Sequence, residues 1–209
     1  MLEISALTRS FRKPMSRQFR RVLGPVDVEV GEGDRLAVTG ANGAGKSTLL
    51  RCIAGTVAPT SGTVMVGGHE AGSLAARRMI GVSFSQERSF YLRLTGWQNL
   101  LIFARLREPD DLARALVERI VSELELETIA ARRVDRCSTG MVQQLAIGRA
   151  LLGGPQLLLL DEPTRSLDQE AIARFWRALD ARRDRAVVLI SHRPEDVAHC
   201  ERHLALAPH

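Results

Sequence analysis

Two hydrophobic rhythms alternate along this 209-residue chain. Short apolar runs bounded by glycine or polar residues read as strands; longer segments with apolar residues three to four apart read as helices. "VDVEV" at 26–30 alternates like a half-exposed strand, and "RLAVTG" at 35–40 is a short apolar strand that ends on glycine. "KSTLLRCIA" at 46–54 turns helical, and Gly55 stops it. "SGTVMVGG" at 61–68 predicts a strand between glycine turns, and "RMIGVSFSQ" at 78–86 a strand with a polar end. From 96 to 131 the rhythm is helical, in "WQNLLIFARL" and "DDLARALVERIVSELEL", with Pro109 between them. A further helix, "STGMVQQLAIGRALLG" at 138–153, has Ser138 as N-cap and Gly153 near its end. Then come a buried strand, "QLLLLDEP", a helix over about 168–182, a strand "AVVLI" and a short last strand "HLALA". Strands alternating with helices predict an α/β fold with a mostly parallel sheet. Residues 1–209 read as one domain with a helical insertion at about 87–153.

Composition changes this picture little. Hydrophobic residues make up 45% and charged residues 25%, as in an ordinary globular protein. No apolar run approaches the roughly 20 residues of a membrane span, and "MLEISALTRS" has no signal-peptide pattern. These features predict a cytosolic location. Cys52, Cys137 and Cys200 are widely spaced and form no zinc-like cluster, so reduced thiols are expected. The net charge of +5 is modest. Its main local feature is "RSFRKPMSRQFRR" at 9–21, with six basic residues and no acid. Such a run can meet nucleic acid or anionic lipid, but it lacks a nucleic-acid motif and reads as a solvated edge loop.

The chemistry is concentrated elsewhere. Of 29 basic residues only Lys13 and Lys46 are lysine. Lys46 belongs to Gly40-Ala41-Asn42-Gly43-Ala44-Gly45-Lys46-Ser47, which fits G-x-x-x-x-G-K-[ST], with Thr48 following. Such a loop curls its N–H groups around phosphate oxygens, which needs backbone angles that glycine tolerates. The helix behind it points its positive end at the same oxygens. A compact ammonium reaches between phosphates where a planar guanidinium would not fit. Ser47 is placed to bind Mg²⁺. "LLLLDEP" sets Asp161 and Glu162 at the end of a buried strand, where ligands of open α/β sheets lie. Asp161 can hold Mg²⁺ through its water shell, and Glu162 can act as general base on a water. His192 in "VVLISHRP" and Gln86 in "IGVSFSQ" end further strands at that edge. His192 could bond the γ-phosphate or the attacking water, and Gln86 could touch Mg²⁺ or water.

In this order the motifs resemble the ATP-binding subunit of ABC (ATP-binding cassette) transporters, over almost the whole chain. The resemblance implies a P-loop NTPase fold, with an N-terminal antiparallel β part and a mostly parallel sheet flanked by helices. It makes Gly40 to Ser47 the Walker A motif, Leu157 to Asp161 the Walker B motif and Glu162 the catalytic glutamate. Gln86 becomes the Q-loop residue, Ser166, Leu167 and Asp168 the D-loop, and His192 the switch histidine. "CSTGMVQQL" takes the signature position usually written L-S-G-G-Q, so Ser138, Thr139, Gly140 and Met141 would face the ATP of a partner subunit. Thr139 replaces the first glycine and Met141 the glutamine, a form similar to ABC-2 exporter ATPases. Arg165 and Ser166 stand where smaller residues are frequent. Phe11 is expected to stack on adenine, with Phe19 its rival. "SFYLRLTGWQNL", after Gln86, would meet the membrane subunit. The implied cofactors are ATP and Mg²⁺. The implied partners are a separate transmembrane permease subunit and a second ATPase subunit, in a homodimer or heterodimer, at the inner face of the membrane. No direct nucleic-acid contact is expected. Haem-exporter ATPases, and soluble ABC ATPases acting on nucleic acid or ribosomes, are the alternatives. A small-molecule kinase would not need "STGM" or "SLD".

Overall fold

The computed structural model describes residues 1–12, 15, 17–85 and 89–208. The chain begins with β1 (Leu2–Arg12) and β2 (Phe19–Val30), an antiparallel hairpin, followed by β3 (Arg35–Gly40) and α1 (Lys46–Ile53). β4 (Ser61–Val66) and β5 (His69–Glu70) return to the first sheet, whose order is β2-β1-β4-β5. α2 (Leu74–Met79) leads into β6 (Ile80–Ser83). The helices α3 (Gly96–Arg105), α4 (Asp110–Glu123), α5 (Glu127–Ala130) and α6 (Thr139–Leu151) come next. β7 (Leu157–Asp161), α7 (Gln169–Asp180), β8 (Ala186–Ile190), α8 (Pro194–Val197) and β9 (Arg202–Leu206) close the chain. The second sheet is parallel, ordered β6-β7-β8-β3-β9.

That parallel sheet lies between two cores, and the period of two along a strand sorts its side chains between them. Leu157 and Leu159 of β7, Ala186, Val188 and Ile190 of β8, and Leu36 and Val38 of β3 pack with the antiparallel sheet and α1. Leu158, Leu160, Val187, Leu189 and Ala37 point the other way, into the helices. Being buried on both faces is why β7 and β8 read as unbroken apolar runs rather than alternating ones. Each of the four leucines of β7 is at most 2% exposed and contributes about 1.5–3 kcal/mol by leaving water.

The helices α3 and α6 are built around their caps. Thr95 and Gln98 form a capping box at α3, and the buried Asn99 holds Tyr91 N, Tyr91 O and Thr95 O. Ser138 caps α6 as expected, accepting from Met141 N at 3.2 Å. The Ser138 N–H donates to Met141 Sδ at 3.4 Å, so the thioether does the reciprocal half of a capping box in place of the usual carboxyl or amide.

Two expectations need correction. Residues 78–86 are not one strand: Arg78 and Met79 end α2, and β6 is only Ile80–Ser83. The basic run at 9–21 is loop only in part: Met15 lies in an exposed turn, whereas both ends are strand. Its described ends are ladder positions in β1 and β2, with Ser10 opposite Arg21, Phe11 opposite Arg20 and Arg12 opposite Phe19. Strand pairing between alternate basic and apolar residues overrides the loop reading at those ends, because the ladder bonds use backbone groups whatever the side chains carry. Gln86 lies outside the described residues. Among the described residues no helix is long and apolar enough to cross a membrane.

Candidate functional site

The C-terminal ends of β3, β7 and β8 open on one cavity of about 600 Å³. Asn42, Gly43, Gly45, Lys46, Ser47 and Thr48 line one wall, and Asp161, Glu162 and His192 another. The sequence-predicted residues on three separate strands are thus brought together at one sheet edge, with Val22 of β2 closing a further side.

The loop from Gly40 to Gly45 reverses the chain between β3 and α1 through left-handed backbone at Gly43 (φ 84°) and Gly45 (φ 93°). Gly45 also presses against β2: a Cβ there would overlap the Val22 carbonyl oxygen. Lys46 is 8% exposed, and its Nζ donates to Gly40 O at 2.7 Å and Ala41 O at 3.1 Å. An ammonium held by its own loop's carbonyls is pre-placed within the loop. Ala44 is buried beneath, its N–H donating to Ala41 O at 3.1 Å.

The carboxylates differ. Asp161 is 3% exposed, and its Oδ2 accepts from Ser47 Oγ at 2.9 Å and from Ser85 Oγ at 3.1 Å. Two hydroxyls and a carboxylate form an all-oxygen donor set suited to a hard cation such as Mg²⁺, which takes one or two protein oxygens besides phosphate. Glu162 sits at φ 51°, rare for a residue with a side chain. Its N–H donates to Ile190 O at 2.8 Å, tying the turn to β8. Glu162 Oε1 is buried without a hydrogen-bond partner and lies 3.5 Å from His192 Nε2. Glu162 thus combines left-handed backbone with a buried, unpaired carboxylate oxygen next to His192.

The positions of Glu162 and His192 rest on a second layer absent from the sequence reading. Asp196, 1% exposed, accepts at Oδ2 from Thr164 Oγ1 and from Ser191 Oγ, the latter at 2.7 Å. Ser191 Oγ in turn accepts from Arg193 N at 3.1 Å. One carboxylate therefore clamps the turn after Glu162 to the turn around His192. Ser85 was also missed, although its place directly before Gln86 was a usable signal.

The remaining predicted residues lie elsewhere. Ser138, Thr139, Gly140 and Met141 do not line the 600 Å³ cavity. Thr139 opens on a neighbouring cleft of about 300 Å³, with Ser85, Gln143, Glu162, Arg165 and Ser166. A Cβ on Gly140 would overlap the Ser166 carbonyl oxygen, so the tip of α6 and the 166–168 turn pack directly together. Leu167 packs on the helical core, and Asp168 caps α7 by accepting from Ala171 N at 2.8 Å. Phe11 is 38% and Phe19 68% exposed on the hairpin, and neither lines the cavity. Phe11 carries the Arg9 guanidinium 4.4 Å from its ring centre.

Glycine-lysine loop, helix N-terminus and strand-end carboxylates define a phosphate-loop nucleotide site on an α/β sheet. Residues 23–165 match the family model "ABC transporter", and the chain belongs to that family as an ABC ATPase domain. It is 37% identical over 196 residues to the phosphonates import ATP-binding protein PhnC of Alcaligenes faecalis, covering 85% of this chain and 67% of that one. It is 34% identical over 208 residues to the Nod factor export ATP-binding protein I of Rhizobium meliloti, covering 96% and 60%. The ABC transporter ATP-binding protein YdbJ of Bacillus subtilis is 34% identical over 157 residues, and the match spans 50% of its length. The chain thus spans between half and two thirds of these relatives. Among solved structures, the dimeric bacterial ABC transporter cassette MJ0796 superposes with a TM-score of 0.88 at 25% identity, over 99% of this chain and 94% of that one.

Proposed function

We propose that the chain is the ATP-hydrolysing subunit of a transporter, working as a head-to-tail pair on a separate membrane permease. The observation that carries this reading is the unpartnered Glu162 Oε1 in the same cavity as Lys46 and His192. A general base needs an acceptor not already taken by a donor, and Glu162 lines the cavity with Oε1 unpaired.

In this reading the glycine loop and the N-terminus of α1 hold the phosphates through backbone N–H groups, and Lys46 leaves Gly40 O and Ala41 O to bind them. Phe11 is the residue proposed to meet adenine, with Val22 beside the nucleoside. Ser47 and Asp161 would hold Mg²⁺, with Gln86 a further candidate, and a bound ion would supply charge neutralisation at the phosphate oxygens. Glu162 accepts a proton from the attacking water, and His192 bonds the terminal phosphate. Ser138, Thr139, Gly140 and Met141 serve the nucleotide of the second copy, which their absence from this chain's own cavity supports. The 166–168 turn packs on Gly140, so movement at one site reaches the residues serving the other. The helical insertion of this single domain, where Tyr91 and Leu92 are 57% and 62% exposed, would meet the permease at the inner face of the membrane.

Export of the ABC-2 kind is the direction we favour. The S-T-G-M form followed by Q-x-L supports it, as does likeness to the Nod factor export protein over 96% of this chain. The test is ATP turnover and assembly of the Glu162→Gln protein. Nucleotide should still bind, turnover should fall at least about 100-fold, at the low end of general-base contributions, and the chain should become a dimer with ATP. Wild-type turnover in that variant would remove Glu162 from its role. For direction, transport by the chain with its permease in inside-out vesicles should be inward; uptake by right-side-out vesicles would make it an importer.

A further inference from the structure

We propose that Arg165 is a ligand of the terminal phosphate in its own chain's site, a second fixed cation beside Lys46. The proposal rests on the ATP reading above.

Arg165 follows Glu162 by three residues through a tight turn in which Arg165 N donates to Glu162 O at 3.3 Å, and Leu167 N closes on Thr164 O at 3.1 Å. The turn folds Arg165 back to the cavity wall beside Glu162, His192 and Arg193. It also borders the 300 Å³ cleft, which shares Ser85, Glu162 and Arg165 with the larger cavity but not Val22, Gly45 or Thr48. Arg165 is therefore on the Glu162 side of the site, away from the nucleoside side marked by Val22.

Its surroundings leave it available. Arg165 is exposed and has no acidic partner among the described residues. Arg193, the other arginine on the wall, already faces Glu195 at 3.6 Å, and the partly buried Arg174 and Arg182 are committed to Glu125 and Glu123. The two carboxylates of the cavity do not compete for Arg165: Asp161 is bonded to two serines and Glu162 Oε1 lies toward His192. A guanidinium with five donors and no carboxylate to satisfy them, at the mouth of a phosphate cavity, is suited to two oxygens of a tetrahedral anion at once. Lys46 sits inside the loop, whereas Arg165 comes from the opposite wall, so a phosphate held by both is gripped from two sides.

The experiment titrates ATP and ADP into the full chain with Mg²⁺, in a Glu162→Gln background so that ATP survives the measurement. Arg165→Ala and Arg165→Lys are compared with that parent, each with an unfolding curve. Arg165→Ala should lower ATP affinity about 10-fold, the loss expected for one charge-assisted contact, and leave ADP affinity within about twofold. Arg165→Lys should fall between, since an ammonium keeps the charge but not the fork. Binding is read at chain concentrations where light scattering shows the parent monomeric with ATP, so assembly does not enter the comparison and a merely structural role would move ATP and ADP together. Equal losses for both nucleotides, or unchanged ATP affinity in the alanine variant, overturn the proposal and leave the ATP reading standing. Absence of ATP binding by the parent overturns both.

Discussion

Gly43 and Gly45 offer a matched pair of substitutions. Both stand in left-handed backbone, at φ 84° and 93°, so alanine at either position carries a similar conformational cost of about 1–2 kcal/mol. Their surroundings differ. A Cβ on Gly43 meets nothing within 4 Å, whereas one on Gly45 would overlap the Val22 carbonyl oxygen, 3.3 Å from the Val22 carbonyl carbon and 3.2 Å from Leu23 Cδ1. Two of those three atoms are backbone of a paired strand, and Leu23 is 1% exposed, so neither side yields cheaply. Overpacking of this kind costs about 1–3 kcal/mol. Gly43→Ala should therefore lose about 1–2 kcal/mol, and Gly45→Ala about 1–3 kcal/mol more, in urea unfolding without nucleotide. The backbone cost cancels in the difference between the variants. Nucleotide affinity should fall in both, because Gly43 and Gly45 both line the cavity. Coincident unfolding midpoints would refute the claim that Gly45 is required by contact with β2 rather than by backbone angle alone.

Lys46→Ala should weaken ATP binding about 10- to 100-fold in calorimetry, the range for losing charge-assisted bonds, while the fold survives. Asp196→Ala leaves two buried hydroxyls, Thr164 and Ser191, without their acceptor; stability should drop by about 1–3 kcal/mol and turnover with it, and an unchanged pH 7 turnover would show that the clamp does not position Glu162 and His192. Burial, with help from Glu201 and Asp196 and against Arg35, pushes the Cys200 thiol up to about 11 from the ordinary 9.0. Between those values the folded protein keeps a proton that the unfolded chain has lost, so this contribution is complete below about pH 9 and is lost as pH rises toward 11. Cys200→Ala should make stability fall less steeply across that window, measured by urea midpoints.

The phosphate half of the site was legible in the sequence because its chemistry is contiguous. Gly40 to Thr48 is one loop and one helix start, and the residues that bend the backbone are the residues that identify it. Asp161, Glu162 and His192 were legible for a related reason: each follows an unbroken apolar run, and in a parallel sheet such runs end at the same edge. What the sequence hid depends on pairings across long separations. Val22 reaches the cavity only because β2 lies against Gly45, and Ser85 only because β6 lies beside β7. Asp196, in a four-residue helix, looks like a surface acid until Thr164 and Ser191 converge on it. The hairpin from Leu2 to Val30 shows the same limit from the other side. Its bulged register breaks the alternation at Ile4, Leu7 and Arg9, so the ladder that carries Phe11 and Arg20 is invisible to a period-two reading. The phosphate grip is thus encoded locally, whereas the walls that orient it are encoded by strand order. Arg165 stands at the boundary between the two. Its sequence position, three residues after Glu162, is local, but its value depends on the cleft that α6 and the 166–168 turn close around it.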